Sequence, residues 1–191
     1  MTREKATVLD LRWLQWKKFQ RNRENNNLTN IRTFQEKDKE AIIELIANFR
    51  VDLAGLKGIK KEPNIDMAKE ELRDYIDNKY PIFIAEDKGS MIGGYLVCKV
   101  EGDIVWAESL YVLPEHRRRG IASLLFKEAE KLAEKFGADT VYNWVHPNND
   151  RIIKFLDKRG YNVLNLIEVR KPWKGEINNQ KIKVDKHEFR Y

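Results

Sequence analysis

The chain is 191 residues long, 42% apolar, and carries a formal net charge of +6. That supports one domain with a buried core and leaves too little chain for two. No apolar run approaches the ~20 residues of a bilayer span, and the N-terminus MTREKATVLD lacks the apolar core of a secretory signal. The single cysteine, Cys98, excludes an intrachain disulfide framework, and one Cys with three His makes no metal site expected. Within the apolar run YLVCKV, Cys98 reads as a small buried residue in a reducing cytoplasm, with no membrane partner.

The charge is uneven. Residues 1–30 and residues 170–191 each carry seven bases against three acids, so the body between them is slightly acidic. Such ends attract anions without specifying a fold.

In chain order, residues 1–24 predict a helix, with Leu9, Trp13 and Trp16 on one face and Leu14 and Phe19 close to it. The polar stretch RENNNLTN breaks it. From Asp38, Ile42, Leu45, Ile46 and Phe49 predict a second helix. After a loop with Gly55, Gly58 and Pro63, an acidic helix is expected over roughly 66–79. IFIAED and MIGGYLVCKV, joined by DKGS, read as a hairpin, and IVWAESLYV as the next strand.

After Gly120, Ile121, Leu124, Leu125, Ala129, Leu132 and Phe136 form a helical stripe that ends at Gly137. TVYNWV reads as a strand, NDRIIKFLDKRG as a short helix stopped by Gly160, and YNVLNLIEVRK as a long last strand. The tail suits a small hairpin. The pattern predicts an α/β or α+β fold, a sheet with helices on its faces. Expected divisions are an N-terminal helical extension over 1–30, the main domain over 31–170 and a basic tail or hairpin over 171–191.

The segment LYVLPEHRRRGIASLLF places three arginines and a glycine between a strand and a helix. A helix start leaves amides unpaired and carries the positive end of the macrodipole. Gly120 lets a backbone approach a ligand closely, and Ala122 keeps the next turn slim. The combination suits a phosphate or diphosphate. The plain alternative is an exposed basic loop that binds nothing.

This stretch resembles the cofactor motif of the GNAT family of acetyl-CoA-dependent N-acetyltransferases: Gln or Arg, two residues, Gly, one residue, then Gly or Ala. Here it reads Arg117, Arg118, Arg119, Gly120, Ile121, Ala122. A second family motif is matched by Asn149, followed eleven residues later by Gly160. The resemblance covers roughly 31–170 and implies a mixed, mostly antiparallel sheet flanked by helices. It implies that backbone groups of Leu110, Tyr111 and Val112 pair with the pantetheine arm of acetyl-CoA, one amide meeting the reaction's oxyanion. It also implies that amides from Arg118 to Ser123 hold the diphosphate and that Asn149 lies near the thiol end.

Moving an acetyl group to an amine requires removing a proton from an ammonium of pKa ~10. Glu108 is the candidate base: it lies two residues before the cofactor strand, and by alternation shares a face with Leu110 and Val112. Some family members carry a functional Glu at the matching position; the plain alternative is a strand Glu paired with a Lys. Where many members place an acid Tyr, this chain has Leu156, beside Phe155. Tyr161, Tyr111 and Tyr142 are the substitutes, or else water protonates the leaving thiolate. His146 stands near the expected opening of the site, His116 is expected to flank the diphosphate, and His187 lies in the tail.

The expected acceptor is a small cationic amine. Glu62, Asp66, Glu70, Glu71, Asp74 and Asp77 outnumber Lys69 and Arg73 along the segment expected to wall its site. The alternatives are a peptide or protein amine, or a nucleic-acid or ribosome-binding module using the basic termini and their aromatics. Helical core spacing favours docking of those aromatics on the chain's own sheet or on a partner subunit, which leaves a homodimer open.

Overall fold

The computed structural model describes residues 29–87 and 91–191. The helix expected over 1–24 lies outside the described residues. The chain divides into two compact units, the first ending at Trp144 and the second running Val145–Tyr191.

The first unit holds β1 (Thr29–Thr33), α1 (Lys39–Gly55), α2 (Ile65–Asp77), β2 (Ile82–Asp87), β3 (Met91–Glu101), β4 (Ile104–Val112) and α3 (Ile121–Lys135). The strands lie side by side in chain order, every neighbouring pair antiparallel. Helices alternate with this meander as expected. β1 is a strand that the sequence reading missed.

Ile42, Leu45 and Ile46 of α1 and Leu72 and Tyr75 of α2 pack on Ile84, Tyr95, Val97 and Tyr111, forming the core on one face of the sheet. α3 covers β3 and β4 from the other side, burying Leu125, Phe126, Ala129 and Ala133. With both faces covered, β3 is buried without interruption from Ile92 to Cys98. Cys98 is inaccessible, and burial pushes its thiol up to about 12. Asn64 caps α2, its side chain accepting from the Met67 amide at 3.0 Å.

β1 is held by charge as well as by its ladder. Arg32 reaches both oxygens of Asp38, just before α1, at 2.7 and 2.8 Å, and Glu86 of β2 at 3.1 and 3.3 Å. Asp38 is buried, and hydrogen bonding to Arg32 holds its carboxyl below the usual range. A lowered folded pKa stabilises fully above the unfolded value of ~3.9, and that contribution is lost as pH falls through the folded value. Arg32→Met is expected to destabilise the fold by about 3 kcal/mol near neutrality, because it strands a buried carboxylate. The loss should shrink as pH drops below about 4. Urea unfolding from pH 3 to 7 checks both the size and the slope.

The second unit holds α4 (Asp150–Asp157) and a hairpin of β5 (Lys181–Val184) and β6 (His187–Arg190). Gly160, at φ +87°, follows α4 as expected. Two expected strands are absent. In TVYNWV only Tyr142 pairs, in one parallel bridge to Trp106. YNVLNLIEVRK makes no ladder among the described residues. β-rich composition suits a pleated surface, but a strand exists only where a partner takes its backbone groups.

Candidate active site

β4 has one edge on β3. On its other edge Ala107 donates to the Tyr142 carbonyl at 2.9 Å, and Tyr142 donates to that of Val105 at 2.8 Å. Beyond Ala107 no strand pairs with this edge among the described residues. Leu113 donates to Gly93 beside β3, so Tyr111, two residues earlier, also turns its backbone groups to β3. Leu110 therefore presents both of its groups to the open edge and Val112 its amide, the Val112 carbonyl accepting from Arg117. Tyr111 does not, which narrows the expected trio to two. The edge approaches β3 closely: a Cβ added at Gly94 would lie 2.7 Å from the Tyr111 carbonyl oxygen.

The chain leaves β4 through a short turn, Pro114–His116, and reaches α3 at Gly120. Arg118 and Gly120 have φ of +63° and +83°, which curls the loop into a concavity of amides. No side chain caps α3. Its first helical bond runs from the Leu124 amide to the Gly120 carbonyl, so the amides of Ile121, Ala122 and Ser123 lack helical acceptors. No atom lies within 4 Å of a Cβ built on Gly120, so this cradle is open above. It fits a diphosphate.

The arginines divide their work. Arg117 donates to the Val112 carbonyl and to Asp52 of α1, each at 2.7 Å, and lies over the Tyr111 ring. Its guanidinium pins the loop to the domain and is spent on protein. Arg119 meets His116 Nδ1 at 3.2 Å, and Arg118 is exposed. His116 is a buried packing group: a Cβ on Gly93 would lie 3.0 Å from its ring.

Glu108 sits at a bulge. The register steps from Val97↔Ser109 to Cys98↔Ala107, leaving Glu108 unopposed. The simple alternation that groups it with Leu110 and Val112 is interrupted there. Lys99, opposite Trp106 on β3, is paired with Glu101 at 2.7 Å, and that bond, with a smaller contribution from Glu108, raises its pKa. Glu108 Oε2 is buried and makes no hydrogen bond among the described residues. A buried, unpartnered carboxylate oxygen is costly and commonly marks a place for something else.

Beside Glu108 runs a polar chain that the sequence reading missed. Arg50 of α1 grips Glu71 of α2 at 2.6 and 2.7 Å, and Tyr75 donates a short bond to Glu71. Tyr75 lies 3.1 Å from Ser109 Oγ, and burial together with Glu71 raises its pKa. The buried Tyr95 hydroxyl lies near Ser109 but outside hydrogen-bond geometry. The expected acidic wall is corrected by the same contacts. Glu71 alone of its six acids turns inward, and Arg50 holds it; the other five are exposed.

A second missed feature is aromatic. Tyr142 and Trp144 stack on Trp106 at centroid distances of 5.0 and 4.7 Å. In the second unit, Asn149 caps α4, its side-chain oxygen accepting from the Ile152 amide at 3.3 Å. His146 accepts from the Asn148 amide, and Leu156 is buried.

The sequence model of the Acetyltransferase (GNAT) family matches residues 49–161. Among solved structures, the PaiA N-acetyltransferase of Thermoplasma acidophilum in complex with coenzyme A is 25% identical, with a TM-score of 0.59 over 69% of this chain and 87% of that one. An acetyltransferase of Pyrococcus furiosus, described as putative, is 20% identical (TM-score 0.58; 75% and 99% covered). An aminoglycoside acetyltransferase from an uncultured soil metagenomic sample, in complex with sisomicin, is 18% identical (TM-score 0.55; 80% and 99% covered). The last two likenesses concern the fold alone. An amide cradle after β4, an open strand edge and a match over most of the chain lead to one conclusion: the chain belongs to the GNAT family of N-acetyltransferases, with acetyl-CoA as co-substrate.

Proposed function

We propose that the chain acetylates a small cationic amine by direct attack within a ternary complex. The observation that carries this is the buried, unpartnered Oε2 of Glu108, the first residue beyond the point where β4 loses its parallel neighbour. An ammonium satisfies that oxygen in the ground state, and the same carboxylate then takes its proton, directly or through one water. Leu110 and Val112 hold the pantetheine arm, and the amides from Arg118 to Ser123 hold the diphosphate. Acetyl-CoA supplies an activated acyl carbon. The amine lone pair forms the N–C bond, the C–S bond breaks with its electron pair on sulfur, the nitrogen gives up its second proton to solvent as the amide forms, and the thiolate, whose thiol pKa is ~8.5, takes one proton from solvent. The setting we propose is the cytoplasm.

Thiol release from acetyl-CoA over a panel of amines and N-terminal peptides tests the reading. Amines should react and peptides should not, with KM for the amine rising with ionic strength. Acetyl-CoA at a hundredfold its Kd should stabilise the fold by about 2.7 kcal/mol. Acetylated peptides with inert amines would replace this acceptor class by the peptide one.

A further inference from the structure

The acceptor's non-reacting part has a place of its own in the structure. Trp106 faces Tyr142 across the parallel bridge, and Tyr142 and Trp144, two residues apart, share a side. The three rings form a tray with interplanar angles of 39° and 35° on Trp106. Trp144 is 64% exposed. An indole is one of the largest apolar groups a chain can bury, so one left this open within an aromatic cluster offers a face to a ligand.

Position ties the tray to the chemistry. The open edge from Glu108 to Val112 spans four residue steps, roughly 13 Å, with the diphosphate cradle beyond one end and the tray at the other. A donor laid along that edge from the cradle brings its thioester end to Glu108. The attacking nitrogen is therefore at Glu108, and the rest of the acceptor lies over Trp106 and Trp144.

Charge selects among the bodies that such a tray could hold. A π face accepts either a cation or a flat ring. Lys99 stands directly opposite Trp106, its ammonium paired with Glu101 at 2.7 Å. That ion pair leaves no net charge beside the tray to draw in a second cation, so the broad apolar faces of the three rings favour a flat ring. Resting on the proposed function, we infer that the acceptor is a primary amine carrying an aromatic ring on a short arm, with its ammonium at Glu108 and its ring stacked on Trp144.

The test uses the full chain, with phenethylamine, propylamine and spermidine as probes. Calorimetry on protein saturated with coenzyme A gives each Kd, and thiol release from acetyl-CoA gives each kcat/KM. Phenethylamine should lead propylamine and spermidine by about tenfold in both. In Trp144→Ala the phenethylamine-to-propylamine ratio should collapse towards one, and Trp144→Phe should restore most of it. The exposure of Trp144 makes a folded variant the expected case, and an unchanged melting temperature checks it. Equal wild-type values for the two monoamines, a ratio that survives Trp144→Ala, or a lead for spermidine would overturn the inference while leaving amine acetylation standing. Coenzyme A binding with none of the three amines bound or acetylated would overturn the proposed function and this inference together.

Discussion

Gly120→Asp is expected to weaken acetyl-CoA binding by several kcal/mol while leaving the free protein folded. The two effects separate for a structural reason. Gly120 has φ of +83°, a conformation that costs most side chains but one that Asp tolerates better than most. A Cβ there meets no atom within 4 Å, so no neighbour has to move. Gly120 also occupies the N-cap position of α3, where a carboxylate accepts from first-turn amides and favours the helix. Those are the amides assigned to the diphosphate. The variant fills the cradle with its own anion and repels the ligand's: two unit charges ~4 Å apart interact by about 4 kcal/mol at an effective dielectric of 20. Thermal unfolding without ligand should give a cooperative transition within several degrees of wild type. Titration with acetyl-CoA should give a Kd raised a hundredfold or more. An unchanged Kd in a folded variant would remove the diphosphate from this loop.

That loop was legible in the sequence because its determinants are adjacent. A strand, a glycine that can adopt positive φ, a small residue and an apolar stripe fall within a few consecutive residues of LYVLPEHRRRGIASLLF. The helical spacing in α1 and the hairpin of β2 and β3 are legible for the same reason. What was hidden depends on residues distant in the chain. Arg117 belongs to the cofactor motif by spacing, yet its guanidinium goes to Asp52, 65 positions upstream. Glu71 counts as one acid among six until Arg50, 21 positions away, is seen to grip it. The bulge that frees Glu108 is a mismatch between two strands and leaves no mark on either one. β1, five residues of which Ile31 alone is apolar, has too short an apolar pattern to announce a strand. Tyr161–Lys171 shows the reverse failure, strong β composition with no ladder to join.

Glu108→Gln is expected to lower kcat at neutral pH by about 10²–10⁴-fold, the usual cost of a lost general base. The amide keeps the size of the carboxylate and cannot take a proton. Acetyl-CoA affinity should hardly change, because the edge groups of Leu110 and Val112 and the cradle at Gly120 are untouched. Stability should hardly change, since the amide keeps the side chain's size and a polar atom at the same buried position. The pH profile distinguishes a base from a mere scaffold. Wild type should reach its plateau well below the amine's own pKa of ~10, because the enzyme removes the proton. The variant must wait for the amine to deprotonate in solution, so its kcat/KM should climb about tenfold per pH unit until that value is neared. The deficit should then be largest at neutrality and narrow towards pH 10. A uniform loss at every pH would make Glu108 a positioning residue. An unchanged neutral rate would pass the proton to the neighbouring polar route, from Ser109 through Tyr75 to Glu71, whose carboxylate Arg50 holds.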